Sequence, residues 1–367
     1  MQLRPNDTQS LLRDSVRRFV AKDYRAPARE ALGHDAQTWA FFGEQGWLAA
    51  GAPESVGGLG GDLFDICLIA EELGRGLVRE AFAPVAAATA ALRRLAPESP
   101  LLAGLLWGSE TPILAHNEAA ARGDPESVST VARRVADGFV LDGAKSALLG
   151  APAATSLLVS ARVEGQQGLT IFAVAPATPG VQVQSYRTVD NRGAANLRLD
   201  AVRVSAEDAI GEVGGAGEAI AEAVAHHLLA ASAEALGAMD AALMITRDYL
   251  MTRRQFGVPI SDFQALRHKL ADMFIETEQA RSIILRGIGA WLDGDDEAAR
   301  LASAAKARVG KAGHFVGAQA IQLHGGIGVT DEAAIGQYYK RLVMFDLLLG
   351  PGAAHLDHFT ARGLSGP

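Results

Sequence analysis

The sequence predicts an α+β protein in which a small antiparallel β domain separates two helical segments. Apolar residues recur at helical spacing before residue 110 and after residue 213, whereas between them the hydrophobic period changes to two. No predicted strand is followed by a crossover helix, which argues against a doubly wound fold. We therefore predict an N-terminal helical domain at 1–110, a β domain at 111–212 and a C-terminal helical bundle at 213–367.

Composition narrows the class of protein. The chain has 367 residues, of which 49% are hydrophobic and 21% charged, as is ordinary for a globular enzyme. A net charge of −8 without a basic run argues against a nucleic-acid partner. The single cysteine, Cys67, lies in an apolar helical run and is expected to be buried. We find no apolar leader and expect no membrane span, and we predict a cytoplasmic protein.

The N-terminal segment contains two helical patterns and one glycine-rich loop. Apolar residues at helical spacing within 11–20 and 63–74 predict helices, the second ending at a glycine. The loop at 53–61, PESVGGLGG, could cradle a phosphate, but no lysine follows its glycines. We favour a structural turn for this loop.

The β domain shows hairpin signals. Asp-Gly pairs at 137–138 and 142–143 predict two tight turns. Strands are expected at 156–161 and 169–175, on either side of a polar turn, and a strand pair is expected around a corner at 200–201.

The C-terminal segment is helical throughout. The alanine-rich stretch 218–252 predicts one helix of about 50 Å. Apolar stripes within 266–277 and 302–316 add further helices, which together suggest a four-helix bundle. Because its faces carry little charge, we expect the bundle to meet copies of itself in a symmetric oligomer.

Two glycine-rich turns bracket an amphipathic segment near the C-terminus, within 322–352. Gly325, Gly326 and Gly328 would let the backbone approach a flat or anionic ligand and direct N–H groups at phosphate. A helix C-cap followed by a turn explains the same glycines equally well.

Five motifs in order resemble the acyl-CoA dehydrogenase family. In chain order they are GWLAAGAPESVGGLGG (46–61), EELGRG (71–76), VLDGAKSALLGAPAATSLLVSAR (140–162), RRQFGVPISDFQ (253–264) and QLHGGIGVT (322–330). The resemblance covers nearly the whole chain. It implies a FAD enzyme that desaturates an acyl-CoA thioester between its α- and β-carbons in lipid catabolism, a tetramer, and electron-transfer flavoprotein as electron acceptor.

The resemblance also implies cofactor-binding residues. In the family the flavin site is built between subunits, and the matching residues here are Arg253, Phe256, Gln322, Gly325 and Gly326. A guanidinium offers fixed donors to the FAD pyrophosphate, an aromatic ring packs on the cofactor, and glycines admit its edge.

Two polar residues within these motifs have alternative interpretations. Gln264 matches a flavin contact of the family and, with Ser261, also fits a capping box at a helix start, and the two roles are compatible. His324 is interpreted as a buried histidine bonded to backbone rather than a catalytic one. No histidine or carboxylate cluster has the spacing of a metal site.

The chain departs from the family where the catalytic base should stand. The family's glutamate usually precedes a Gly-Thr pair, and the matching residue here is Leu349. A subclass carries the glutamate on the first bundle helix, where this chain has His227. We interpret His227 as a helix-surface residue, with a displaced base as the alternative.

The β domain departs from the family as well. Segments 117–119 and 122–124 stand where the family has a T-E-P-x-x-G-S-D turn, so Asn117 replaces a flavin-contacting threonine; as an asparagine it can still hydrogen-bond a flavin edge and remains a cofactor-binding candidate. Ala147 and Leu149 replace an aromatic residue and a hydroxyl residue that flank the flavin.

These losses fall on one side of the cofactor site. The half given to a neighbour's flavin is intact, whereas the half that would hold this chain's own flavin and base is eroded. The pattern favours a subunit of a heteromeric acyl-CoA dehydrogenase, similar to the small subunits that lack the base. The alternatives are a self-sufficient homo-oligomer with a displaced base, a non-catalytic assembly subunit, and oxygenase chemistry on a reduced flavin.

Overall fold

The computed structural model describes residues 4–25, 32, 34–121, 124, 127–330 and 332–363. These residues divide into two compact units. One takes in residues up to 24, residues 67–78 and residues from 228 onward, and the other takes in 25–66 and 79–227. The predicted α+β order of helices, sheet and helices is confirmed.

In sequence, helices precede and follow the strands of the sheet. The N-terminal helices are α1 (Asp7–Lys22), α2 (Ala36–Glu44), α3 (Leu63–Arg75), α4 (Phe82–Leu95) and α5 (Pro100–Leu106). The C-terminal helices are α6 (Gly217–Thr252), α7 (Gln264–Leu292), α8 (Ala298–His324), α9 (Ile335–Leu347) and α10 (Gly352–Gly363). The strands are β1 (Pro112–Ala115), β2 (Val131–Val135), β3 (Gly138–Leu149), β4 (Ser156–Val163), β5 (Thr170–Val174), β6 (Val181–Arg187), β7 (Gly193–Ser205) and β8 (Ala209–Ile210), with a separate pair β9 (Arg254–Gln255) and β10 (Val258–Pro259).

Local signals explain the first helix. Asn6 accepts the N–H of Gln9 at 2.8 Å through its side chain, and the Gln9 side chain accepts the Asn6 N–H at 3.1 Å, which forms a capping box. Val16 and Phe19 are buried on one face, whereas Leu11 is 72% exposed. The helical spacing therefore predicted the helix correctly, but Leu11, which belongs to the predicted apolar stripe, does not lie in the hydrophobic core.

The sheet has eight strands in the order β6-β7-β3-β2-β4-β5-β8, and β1 pairs with β4. The turn at 137–138 and the strands on either side of the polar turn are confirmed. Most pairs are antiparallel, but β4 lies parallel to both β1 and β2, so the prediction of a purely antiparallel domain is wrong for these two pairs.

Two predicted turns in the sheet are wrong. Residues 142–143 lie inside β3, where the register against β7 shifts as in a β-bulge. Residues 200–201 lie inside β7, which continues through the predicted corner although Ala201 has a positive φ of 50°. At both positions a neighbouring strand continues beside the pair of residues, and its hydrogen bonds hold the chain extended.

The long C-terminal helix is confirmed, because α6 has 36 residues and spans about 54 Å. Contrary to expectation, its length and composition would suffice to cross a membrane. However, 67% of its most apolar window is buried, and interior helices of globular proteins meet the same criteria. In α7, Met273 and Thr277 are buried as predicted, but Phe274 is 56% exposed.

Helices α3 and α6 approach closely at two glycines. A Cβ on Gly74 would collide with the carbonyl oxygen of Glu234, and one on Gly237 would collide with that of Glu71. Only glycine permits this separation of the two backbones.

Ion pairs surround this crossing of α3 and α6. Arg281 reaches Glu71 at 2.9 Å and Asp240 at 2.6 Å, and Arg75 reaches Asp240 at 3.1 Å. These ion pairs therefore connect α3, α6 and α7 around a contact in which the backbones of α3 and α6 meet at glycines.

Candidate functional site

The first motif forms a short hairpin directly after α6. Its turn residues Phe256 and Gly257 both have positive φ, 53° and 85°, which is the geometry of a two-residue hairpin loop. The Phe256 ring is 91% exposed and meets the Phe263 ring edge-on at 6.1 Å. A non-glycine residue in this conformation is unfavourable. The hairpin therefore holds an aromatic ring out in solvent despite backbone strain.

Arg253 lies at the base of this hairpin. Its backbone N–H donates to the carbonyl of Tyr249 at 2.8 Å, and its own carbonyl accepts from Ile260 at 2.8 Å. Arg253 is exposed, and within the described part of the chain its guanidinium has no hydrogen bond or ion pair. The backbone is fixed at both ends while the cationic group is open to a ligand.

The second motif ends α8. Gly325 has a φ of 66°, which terminates the helix, and its N–H donates to the carbonyl of Gln322. A Cβ at Gly326 would meet no atom within 4 Å, whereas a Cβ at Gly328 would lie 2.9 Å from the Ile321 carbonyl oxygen. Packing explains Gly328 but not Gly326, and the backbone at Gly326 is open.

A contact between two rings joins the motifs. Tyr249 stacks on His324 with ring centroids 4.4 Å apart and planes inclined at 23°. The Tyr249 hydroxyl donates to the His324 carbonyl oxygen at 3.3 Å. The prediction that His324 is buried and bonded to backbone is confirmed, because its Nδ1 lies 2.8 Å from the Ala320 carbonyl oxygen.

Together these residues form what we call the C-terminal cofactor surface: Arg253, Phe256, Gln322, Gly325 and Gly326. All five are exposed. They offer a cation, an aromatic ring, a side-chain amide and an exposed glycine backbone. These groups fit an extended anionic cofactor with flat rings, such as FAD. The cofactor roles of the five residues stay predictions.

The predicted capping box at Gln264 is wrong. Ser261 lies within a 3₁₀ turn, Ile260–Asp262, and Gln264 is the first residue of α7. The residue before the helix is Phe263, which provides no side-chain cap. Gln264 is exposed, and its flavin contact remains a prediction.

Leu349, at the usual base position, lies in a strained turn after α9. It has a positive φ of 59°, and its carbonyl accepts a hydrogen bond from Nε2 of His355 at 2.7 Å. Burial lowers the pKa of His355 to about 4, so the ring is neutral at pH 7. Leu349 itself supplies no group that could take a proton.

His227, at the alternative base position, is not the surface residue that we predicted. It is half-buried on α6. Burial, followed by the nearby charge of Arg192, lowers its pKa to about 4. The imidazole is therefore neutral at pH 7, but its low pKa makes it a weak acceptor for a carbon-bound proton.

The middle-domain positions are engaged within the fold. The Asn117 amide donates to the carbonyl and hydroxyl oxygens of Ser146, at 3.0 and 3.3 Å. The Ala147 N–H donates to Oδ1 of Asn196 at 3.1 Å, and Leu149 is buried. Both Asn117 donors are thus used. Residues 122 and 123, the rest of that motif, lie outside the described residues.

A buried ion pair fixes this segment further. Nζ of Lys145 lies 2.8 Å from Oε1 of Glu118 and 3.0 Å from the Ser160 hydroxyl. Burial raises the pKa of Glu118, but hydrogen bonds from Lys145, Ser129 and Thr130 outweigh it and lower the pKa to about 2. The segment beside Asn117 is therefore held by charged hydrogen bonds.

Sequence reasoning missed Tyr249 and Phe263. Tyr249 precedes Arg253 by one helical turn, and Phe263 adjoins Gln264, so proximity to a motif was the available signal. In the part of the chain that the structure describes, no group of three or more His, Cys, Asp or Glu side chains could hold a metal ion.

Three family models match the chain: the N-terminal domain of acyl-CoA dehydrogenase at 6–98, the middle domain at 114–202 and the C-terminal domain at 215–364. Acyl-CoA dehydrogenase IpdE2 of Mycobacterium tuberculosis is 30% identical over 92% of this chain and 91% of its own length. Benzylmalonyl-CoA dehydrogenase of Aromatoleum aromaticum is 31% identical over 78% of this chain and 79% of its own.

A solved structure extends the similarity to the fold. A variant of the Tcur3481-Tcur3483 steroid ACAD superposes with a TM-score of 0.88 at 29% identity, covering 98% of this chain and 99% of its own. Family models and relatives thus agree over nearly the whole length. The chain belongs to the acyl-CoA dehydrogenase family, flavin oxidoreductases that act on acyl-CoA thioesters with FAD as cofactor.

Proposed function

We propose that this chain is a subunit of an acyl-CoA dehydrogenase that desaturates an acyl-CoA thioester, and that it shares its flavin site with a homologous, glutamate-bearing partner. One contrast carries the proposal. The C-terminal cofactor surface is exposed and the side chains of Arg253 and Gln322 are uncommitted, while the base positions hold Leu349 and a weakly basic His227.

In the shared site each half has a distinct task. When bound, FAD would supply the acceptor for the hydride of the substrate's β-carbon. On this chain Arg253 would bind the pyrophosphate, Phe256 would cover a ring face, the Gln322 amide would donate to polar cofactor atoms, and the exposed backbone at Gly325 and Gly326 would admit the cofactor's edge. The α-proton passes to the partner's carboxylate, because neither Leu349 nor His227 can take it efficiently.

Further features of the assembly follow from the same proposal. The steroid ACAD that resembles this chain is named by two designations joined together, which supports a heteromer. We propose a tetramer, homo- or heteromeric, that passes electrons to electron-transfer flavoprotein in lipid catabolism in the cytoplasm.

A self-sufficient homo-oligomer is the second candidate. The half-buried, neutral imidazole of His227 is the observation in its favour, since only a neutral ring can accept a proton. In that case His227→Ala would abolish turnover by the chain purified alone. Under the shared-site proposal His227→Ala leaves turnover of the complex unchanged.

The first experiment measures the FAD-to-protein ratio from the visible flavin spectrum. The chain is purified alone and after co-expression with a glutamate-bearing homologue. We expect little FAD alone and recovery in the complex. One FAD per chain in the isolated protein, with turnover, would instead support the homo-oligomer.

A pair of variants tests the role of Arg253. Arg253→Ala in the complex should weaken FAD binding by about 10- to 100-fold, as expected for the loss of charged hydrogen bonds worth about 1.5–3 kcal/mol. Arg254→Ala, the control, removes an equal charge from a neighbouring side chain that donates to Gly257 at 3.3 Å. Equal effects of both variants would contradict the role of Arg253.

A further inference from the structure

We propose that Tyr249 and His324 form a positioning pair that holds the two halves of the C-terminal cofactor surface at a fixed separation. The inference rests on the proposed function of that surface, and it adds two residues to which we assigned no role from the sequence. Neither residue is required to touch the cofactor. Their task is to align the residues that do.

The contacts of the pair are of three kinds. The rings stack with centroids 4.4 Å apart and planes inclined at 23°. The Tyr249 hydroxyl donates to the His324 carbonyl oxygen at 3.3 Å. His324 is anchored in turn through Nδ1, which lies 2.8 Å from the Ala320 carbonyl oxygen one helical turn earlier. The tyrosine is thus joined both to the ring and to the backbone of residue 324.

Each member of the pair is directly connected to one motif. The Tyr249 carbonyl accepts the Arg253 N–H at 2.8 Å, so Tyr249 sets the last turn of α6 from which Arg253 projects. His324 is the last residue of α8, and Gly325 follows it with a positive φ of 66° at the start of the glycine turn. A displacement of the two rings would therefore be transmitted to Arg253 through one backbone hydrogen bond and to Gly325 through one peptide bond.

Helix ends need such support. The last turn of a helix lacks half of its backbone partners and frays readily, and both motifs begin at helix ends. If the two ends moved independently, cofactor binding would have to restrict their motion. A contact formed beforehand removes that entropic penalty and tightens binding.

A matched control exists within the same unit. Tyr338 also has a hydroxyl that donates to a backbone carbonyl, that of Arg75 at 2.8 Å, and it is buried on α9. It lies in neither cofactor motif. Replacing Tyr338 removes the same kind of hydrogen bond and at least as much packing, so it reports the purely structural effect.

The test measures the dissociation constant of FAD by titrating the flavin-depleted, assembled enzyme and following flavin fluorescence. We expect Tyr249→Leu to raise the constant about tenfold, which corresponds to about 1.4 kcal/mol. Tyr249→Phe keeps the stack and loses only the hydroxyl, so it should restore most of the affinity. Tyr338→Leu should change the constant less than about twofold although it lowers the melting temperature.

Each outcome bears on a defined proposal. Equal changes in FAD affinity for Tyr249→Leu and Tyr338→Leu would show that loss of stability alone explains the result, and would overturn the positioning pair. If Tyr249→Leu has no effect but Arg253→Ala weakens FAD binding, the pair is wrong and the cofactor surface stands. If Arg253→Ala also has no effect, the proposed function of the surface fails as well.

Discussion

The C-terminal cofactor surface and the middle-domain positions differ in what their polar groups already bind. Arg253 and Gln322 face solvent, and nothing within 4 Å would meet a Cβ at Gly326. Asn117, in contrast, has both amide donors committed to Ser146, and Leu149 is buried in the sheet. The side chains of the first region are available to a ligand, whereas those of the second are already hydrogen-bonded or buried within the fold.

This difference bears on how a cofactor site is lost. A site on the surface of a fold remains recognisable only while its groups stay uncommitted, because an exposed polar group gains little from the fold. A position inside a sheet can exchange its ligand contacts for internal hydrogen bonds and become structural. The two halves of this site are therefore expected to respond differently to substitution.

The largest effect is expected at Gly326. Gly326→Leu places a side chain where the chain itself leaves open space, so stability should change by less than about 0.5 kcal/mol. The FAD content of the assembled enzyme should fall at least about tenfold because the side chain occupies the approach to the backbone. Both quantities are measured on one preparation, by thermal unfolding and by the flavin spectrum.

Gly328→Ala provides the opposite pattern. Its Cβ would lie 2.9 Å from the Ile321 carbonyl oxygen, so we expect a destabilisation of about 1–3 kcal/mol with FAD largely retained. If Gly326→Leu retains FAD, the surface does not receive the cofactor at this turn and the comparison between the two regions breaks down.

A second prediction concerns pH. Burial lowers the pKa of His226 to about 3 and the pKa of His227 and His355 to about 4. The unfolded chain protonates these rings below about pH 6.5, while the folded chain resists until about pH 4 or lower. Stability should therefore fall as pH decreases from about 6.5 to about 4, measured as the urea midpoint at each pH.

Two variants distinguish the buried histidines from the C-terminal cofactor surface in this titration. His355→Gln keeps a donor for the Leu349 carbonyl but cannot titrate, so the slope should decrease by at most about 1.36 kcal/mol per pH unit. Half-buried His227 contributes less, because solvent reaches it. Arg253→Ala should leave the slope unchanged. A urea midpoint that is constant from pH 7 to 5 would rule out the neutral, buried histidines.

The smallest effect is expected at Asn117. Asn117→Ala removes the hydrogen bonds to Ser146 and should cost about 1 kcal/mol of stability. FAD content of the assembled enzyme should stay within about twofold of the unmutated protein. A large loss of FAD would mean that this half-site still holds the cofactor, and would favour the self-sufficient homo-oligomer.

Periodicity predicted the fold class because burial follows the geometry of each element. The helical spacing in α1 and the alanine-rich length of α6 were sufficient on their own. The turns at 142–143 and 200–201 failed because neighbouring strands continue past them and hold the chain extended. Tertiary pairing overrides turn propensity, and a local window contains no information about it.

The candidate site could be predicted in position but not in environment. The motifs located Arg253 and Gln322, yet nothing in the sequence indicated that Tyr249 would join their segments. His227 was interpreted as a surface residue from its neighbours in the chain, but burial depends on what packs against α6. Gln264 begins a helix without the expected cap, because a 3₁₀ turn places Ser261 elsewhere.

The crossing of α3 and α6 also governs the order in which the chain can complete its fold during synthesis. Arg75 and Asp240 face each other there although they are 165 residues apart in sequence. At about 5–20 residues per second, α3 leaves the ribosome roughly ten to thirty seconds before its partner helix does. During that interval neither the glycine contact nor its ion pairs can form, so this part of α3 has to wait for α6 to be synthesised before the crossing is complete.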